Sequence, residues 1–268
     1  MKVSKRKIFK LSLALTLLLM MCWASSRFHN TRCDEIVINV DTTPEVHFVE
    51  PNDVLQLIYS VDKNIQGYKM DSINIYRIDS VLKSHPFIQS ASIYKTISGK
   101  LKIDITQRKP LLMVICSNGK SYYIDNNGVV FETFDKSSPS VVVANGFIKD
   151  NFDFSGGKVY KIDYKNTQGK DVNADLFRLI KLIDGDDFWR DQIEQIYVNE
   201  LSEYDLVPML GNQILSIGSI EDYDRKMHIL KEFYFKGLKK TGWNAYKQIS
   251  VKYKNQIVCK RVKKTENI

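Results

Sequence analysis

Histidine and cysteine have the widest chemical range of any residues in this chain, and their spacing assigns them little. His29, His47, His85 and His228 have neither an i,i+4 partner nor a neighbouring cysteine, the arrangements by which a helix or loop holds zinc. Cys22, Cys33, Cys116 and Cys259 show no close pairing, so no disulfide framework is evident. Asp41-Thr42-Thr43 only partly matches the Asp-Thr-Gly turn of aspartic proteases and has no second copy. The chain carries no Gly-x-Ser-x-Gly elbow, no complete phosphate loop and no glycine-rich dinucleotide turn. These patterns point away from an enzyme and imply no metal or cofactor.

Binding chemistry is better represented. Near the C-terminus Trp243, Tyr246 and Tyr253 surround a predicted strand over 248–253, in which Ile249, Val251 and Tyr253 alternate. Alternation sets those three toward the domain and leaves backbone donors and acceptors along an edge, where an extended acidic segment can add as a further strand. Lys247, Lys252 and Lys254 would steer such a segment, and the aromatic side chains would give it fixed contacts. The same lysines also suit an edge strand that charge protects from unwanted pairing. Arg108 and Lys109 form a second basic pair, directly before Pro110. They read either as a domain-junction patch that meets a partner or anionic surface, or as a solvated hinge with a local ion pair worth about 0–1 kcal/mol.

The elements that must position these groups follow from periodicity. Ile36, Ile38 and Val40 predict a strand over 35–40; Pro51 opens a helix with Val54, Leu57 and Ile58 on its apolar face. Ile75, Ile78 and Leu82 predict a second helix, which Pro86 stops. Two alternating runs follow, Ala91 and Ile93, then Leu101, Ile103 and Ile105, separated by the turn residues Ser98 and Gly99. The order strand, helix, helix, strand, strand describes a small sheet covered on one face by helices. Beyond Pro110 strands dominate. Leu111, Met113 and Ile115 alternate, Tyr122 and Ile124 alternate across a turn, and Asp125 to Gly128 turns the chain again. In that account Tyr122, Tyr123, Asp125 and Gly128 serve the sheet and its turn. Short strands are expected at 141–144, 193–198, 205–210 and 213–217 and, after a turn at Lys254-Asn255, at 256–260, with a loop-rich stretch at 151–167. Helices are expected at 172–183, ended by Gly185, and at 222–240, with Met227, Leu230, Phe233, Tyr234 and Leu238 inward. The fold class is α+β.

Charge and hydropathy divide the chain further. Residues 11–26 contain no charged side chain, and extension back to Ile8 crosses only Lys10, which can snorkel to the headgroups. At 1.5 Å per residue the stretch 8–26 spans about 28 Å, one hydrocarbon core. Lys2, Lys5, Arg6, Lys7 and Lys10 precede or open it, so the positive-inside rule predicts a cytoplasmic N-terminus with the rest outside. A cleaved signal peptide ending near Ala24, Ser25 and Ser26 is the competing reading. The net charge of +8 is concentrated at the ends, since residues 236–268 carry ten basic side chains against Glu266 alone. The intervening body is acidic, which argues against a nucleic-acid surface over the whole domain.

With these residues in view, the chain resembles the FtsQ family of cell-division proteins, also called DivIB, in the form found in Bacteroides-like bacteria. The stretches that carry the resemblance are IYRIDSVLKSHPFIQSASIYKTISGKLKIDI at 75–105, QRKP at 107–110, YYIDNNGVVF at 122–131 and GWNAYKQISVKYKNQIV at 242–258. The resemblance implies a cytoplasmic tail at 1–7, a transmembrane helix at 8–26, a POTRA domain at 34–108, a strand-rich FtsQ-type β domain at 109–260 and a polar tail at 261–268. It further implies a single-pass protein of the bacterial inner membrane, at the division septum, that scaffolds the divisome. FtsB-like and FtsL-like proteins would bind the late β domain, with the septal synthase pair FtsW and FtsI one step further away. The resemblance favours partner binding for Trp243, Tyr246, Lys247, Ile249, Val251, Lys252, Tyr253 and Lys254. Another POTRA-bearing envelope assembly or translocation accessory is the alternative, and it does not account for GWNAYKQIS.

Overall fold

The computed structural model describes residues 9, 10, 12–21, 31–43, 46–134, 139–165, 169 and 171–262. The chain divides into two compact units, Met1–Gln107 and Arg108–Ile268. The expected tail at 1–7 lies outside the described residues, as do 8, 11 and 22–26 of the expected anchor and 263–268 of the expected C-terminal tail. Phe9, Lys10 and Ser12 to Met21 are helical. Among the described residues no helix is long and apolar enough to cross a membrane.

In the first unit the order is β1 (Glu35–Asp41), α1 (Pro51–Val61), a 3-10 turn (Met70–Ser72), α2 (Ile75–Ser84), β2 (Ile88–Lys95) and β3 (Lys100–Gln107). Pro51 occupies the first turn of α1, where its missing N–H costs nothing. The Asp53 carboxylate accepts the Glu50 N–H at 2.9 Å, half of a capping box. Asn74 caps α2 by accepting from the Arg77 N–H at 3.1 Å. The sheet order is β1-β3-β2, with β1 parallel and β2 antiparallel to β3. Val54 and Ile58 from α1 and Ile78 and Leu82 from α2 are buried, as are Leu101, Ile103 and Ile105 of the central strand. Leu82, Phe87 and Ile88 at the helix-to-strand joint are buried core residues. Gln107, the last residue of β3, is fully buried. Its Oε1 accepts the N–H groups of Phe48 and Val49 at 2.9 and 2.8 Å, and its Nε2 donates to the Asp41 carbonyl at 3.0 Å.

The second unit holds β4 (Pro110–Ile115), β5 (Ser121–Asp125), β6 (Val129–Glu132), β7 (Val142–Gly146), β8 (Tyr160–Lys161), α3 (Val172–Asp184), α4 (Asp187–Arg190), β9 (Ile193–Val198), β10 (Tyr204–Pro208), β11 (Ile214–Gly218), α5 (Tyr223–Phe233), β12 (Tyr246–Ser250) and β13 (Val258–Arg261). A π turn (Tyr234–Leu238) and a short helical turn (Lys239–Thr241) extend α5, so the long C-terminal helix is interrupted. Among the described residues the strands form one ten-stranded sheet ordered β13-β12-β11-β10-β9-β7-β4-β5-β6-β8. Its core joins Leu112, Val114, Ile124, Ile196, Leu206, Leu215 and Ile249 with Leu176, Leu179, Ile180, Ile183, Met227 and Leu230 of α3 and α5.

Three expectations are corrected here. The inward residues of β4 are Leu112 and Val114, while Leu111, Met113 and Ile115 are half-buried. An irregularity between Pro110 and Leu112 shifts the register, and a one-residue shift exchanges the two faces of a strand. The 205–210 strand ends at Pro208, which offers no N–H to continue a ladder, and Met209 and Leu210 are exposed. The 248–253 strand ends at Ser250, and Tyr253 lies 56% exposed in the following loop. The loop-rich stretch is in turn packed by aromatics, with Phe152 edge-on to Tyr122 at 5.2 Å and beside Tyr160 at 5.0 Å.

Candidate functional site

The C-terminal end of the large sheet is where the aromatic and basic residues singled out above come together. β12 is paired on both sides. It runs parallel to β11, with Leu215 opposite Ile249, and antiparallel to β13, with Ile249 opposite Cys259. The expected edge strand is therefore an interior one, and the edge is β13. The Val262 N–H donates to the Ala245 carbonyl at 3.1 Å. Donors alternate along an antiparallel strand, so the N–H groups of Cys259 and Arg261 point outward.

Ile249 and Val251 are buried and can only orient this edge. Trp243 is 48% exposed and stands edge-on to Tyr234 at 5.6 Å. Tyr246 is half-buried against Phe233 at 6.1 Å, and Lys247 and Lys254 are exposed. Lys252 is engaged, its ammonium bonded to the Glu203 carboxylate, which raises the lysine pKa and lowers that of Glu203. Tyr253, expected inward, is instead joined by Ile257, Val258 and Val262 as exposed apolar side chains along the edge. An open cleft of about 500 Å³ lies beside them, lined among others by Ser216, Gln248, Ser250, Lys252 and Lys260, with Gln248 Nε2 donating to Ser216 Oγ at 2.8 Å.

Sequence reading missed the support behind Trp243. Phe188 packs against Phe235 at 5.0 Å and Tyr234 at 5.7 Å, and Trp189 lies 5.5 Å from Tyr234. Asp186 accepts from the Phe188 N–H and from Lys231 Nζ, at 2.9 and 2.6 Å, holding α4 against α5. The paired aromatics Phe188-Trp189 and Tyr234-Phe235 were the available signal.

Arg108 is turned into the second unit. Its Nη1 donates at 2.9 Å to Asp125 Oδ2, and Asp125 Oδ1 accepts the Asn127 and Val129 N–H groups, both at 2.8 Å. The Asp125 side chain is fully buried and that of Arg108 is 11% exposed, which corrects the solvated-hinge reading. Gly128 completes the turn with a φ of +73°. Lys109 is exposed.

The hollow of about 740 Å³ over α3 and α5 is lined by Lys161, Arg178, Lys181, Asp186 and Asp224 and by aromatic walls, with no serine, cysteine or histidine among the described residues. Among the described residues no group of three or more His, Cys, Asp and Glu side chains could hold a metal ion.

Residues 31–106 match the family described as POTRA-like domain. Residues 109–260 match the family described as FtsQ/DivIB, C-terminal related, which covers more than half of the chain. No curated protein matches the chain. Its mixed α+β units, POTRA-like first and strand-rich second, accord with those matches, and the chain belongs to the FtsQ/DivIB family of cell-division proteins.

Proposed function

We propose that this protein is a non-enzymatic divisome scaffold, anchored in the inner membrane by residues 8–26 with its N-terminus cytoplasmic and its body periplasmic. Its domain limits on this reading are 34–108 for the POTRA domain and 109–260 for the β domain. It binds FtsB-like and FtsL-like single-pass proteins and through them supports the FtsW and FtsI septal synthase. The observation that carries the reading is the open β13 edge, bordered by exposed Tyr253, Val258 and Val262 and approached by half-exposed Trp243. An edge strand presents unpaired backbone N–H and C=O groups, a template on which another chain can pair. An extended segment that adds beside β13 would satisfy the outward backbone groups and gain aromatic contacts.

The test uses a residue whose N–H points outward. Arg261→Pro removes that donor without removing a β12–β13 bond, and Arg261→Ala controls for the lost charge. Arg261→Pro should weaken binding of the FtsB-like partner by about tenfold or more, with Arg261→Ala within about twofold of the parent and unfolding unchanged in both. Equal affinity of the proline variant and the parent would reject strand addition at this edge. Co-purification of an outer-membrane barrel in place of single-pass partners would favour an envelope-assembly role.

A further inference from the structure

Among the described residues of the POTRA-like unit, every large apolar or aromatic side chain that stands exposed lies at one end. These are Tyr68, Tyr76, Tyr94 and Ile97, with Tyr76 at 83% and Ile97 at 79% exposure. Topology puts them together. β1 and β3 begin side by side, Glu35 opposite Lys100, and β2 finishes there with Lys95 opposite Leu101. The hairpin tip 96–99 touches the start of the unit, where the Asp34 N–H donates to the Gly99 carbonyl at 2.8 Å. The segment before α2 returns to the same place, since the Cys33 N–H donates to the Tyr68 carbonyl at 2.8 Å and the Met70 N–H to the Thr31 carbonyl at 2.9 Å. Tyr76 follows at the first turn of α2.

The hairpin tip turns on Ser98 and Gly99, the latter at a φ of +83°, and presents Ile97 beside them to solvent. Basic side chains gather round it. Arg32, Lys63, Lys69, Arg77, Lys95, Lys100 and Lys102 outnumber the carboxylates Asp34, Glu35, Asp62, Asp71 and Asp104 by two, and the pairing of Glu35 with Lys100 at 2.7 Å leaves that surplus unchanged. The opposite end, where α1 starts, carries Asp41, Glu50 and Asp53, while Lys83 there is paired with Asp79 at 2.7 Å. Tyrosines with a single aliphatic tip and a surplus of lysine form the composition that settles at an anionic bilayer surface. The uncharged run 11–26 ends five residues before Thr31. Five residues reach at most about 18 Å, so a membrane that holds the run lies within reach of this end.

We infer that this end of the POTRA-like unit seats on the periplasmic face of the bilayer, with Ile97 and the tyrosines among the headgroups and the lysines against anionic phospholipid. The inference rests on the reading of 8–26 as a membrane anchor. It gives the unit a fixed orientation, with the acidic end directed away from the lipid.

The test uses the full chain in vesicles of phosphatidylcholine with about one third phosphatidylglycerol, a photo-crosslinking phenylalanine at position 97 or, at the other end, position 83, and alkaline extraction in parallel. Lipid adducts are expected from position 97 and not from position 83. Lys69→Glu and Lys95→Glu should each lower the adduct yield, by about fivefold for each basic charge removed. A chain that resists extraction yet gives no lipid adduct at 97, or that crosslinks to a second copy of itself, would overturn this inference and leave the anchor standing. A chain released by alkaline extraction would overturn both.

Discussion

Arg108 Nη1 and Asp125 Oδ2 lie 2.9 Å apart, with the carboxylate fully buried and its other oxygen holding the turn between β5 and β6. Removing one partner of such a pair leaves an uncompensated buried charge, which costs about 3–5 kcal/mol. Arg108→Met should lower the urea-unfolding free energy by that amount. Adding Asp125→Asn should restore about 2 kcal/mol, because the amide oxygen still accepts the Asn127 and Val129 N–H groups without a charge. A double variant no more stable than Arg108→Met would mean that the pair does not carry the turn.

Gln107 performs a neutral version of the same task in the POTRA-like unit. Gln107→Leu keeps the volume and leaves the Phe48 and Val49 donors and the Asp41 carbonyl without their buried partner. Each such group costs about 1–3 kcal/mol, so thermal unfolding should fall sharply, and amide exchange should accelerate first at residues 46–50. Protection lost uniformly across the unit would argue against a local clamp.

The first unit was largely legible because each element has one buried face. Ile75, Ile78 and Leu82 recur at helical spacing and Leu101, Ile103 and Ile105 at strand spacing, and the structure buries Ile78, Leu82 and all three strand residues. Leu111 to Ile115 is apolar at every position, so periodicity has no phase there, and the irregularity after Pro110 decides it. The edge was misplaced for a non-local reason. Alternation runs on through Val251 to Tyr253, but the Val251 N–H is taken by the Ser216 carbonyl at 3.0 Å and the chain turns away. Lys254-Asn255 marks the turn, and Asn255 takes a φ of +58°, but the pairing of the returning strand β13 against β12, which moves the edge outward by one strand, is not written in the alternation of 248–253.

His85 provides a pH test of the first unit. Burial pushes its pKa below the ordinary histidine value, and the nearby Asp53 charge only partly opposes this. Its ring packs against Phe87 at 5.6 Å, and its buried Nδ1 has no hydrogen-bond partner among the described residues. A histidine held neutral in the fold contributes stability above its unfolded pKa of about 6.5, and that stability is lost as pH falls through the folded value. The melting temperature should therefore decline below about pH 6.5, and His85→Gln should flatten that decline. An unchanged slope in the variant would place the acid sensitivity elsewhere.

The basic residues around the proposed edge should separate by kinetics. Lys252 is bonded to Glu203, so Lys252→Glu sets two carboxylates together and should lower thermal stability along with any effect on binding. Lys247 and Lys254 are exposed and can act at a distance without holding the fold. Charges of that kind change how often partners meet more than how long they stay together. Replacing both by Glu should slow association with an acidic partner segment by about tenfold at low salt and leave dissociation within about twofold. At high ionic strength, where the screening length shrinks to about 3 Å near 1 M, the association rates of parent and variant should converge. Trp243→Ala should do the reverse, speeding dissociation at every salt concentration, because its half-exposed ring gains contact area only after docking. If the Lys247 and Lys254 substitutions accelerate dissociation while association is unchanged, the lysines are contact residues and not steering charges.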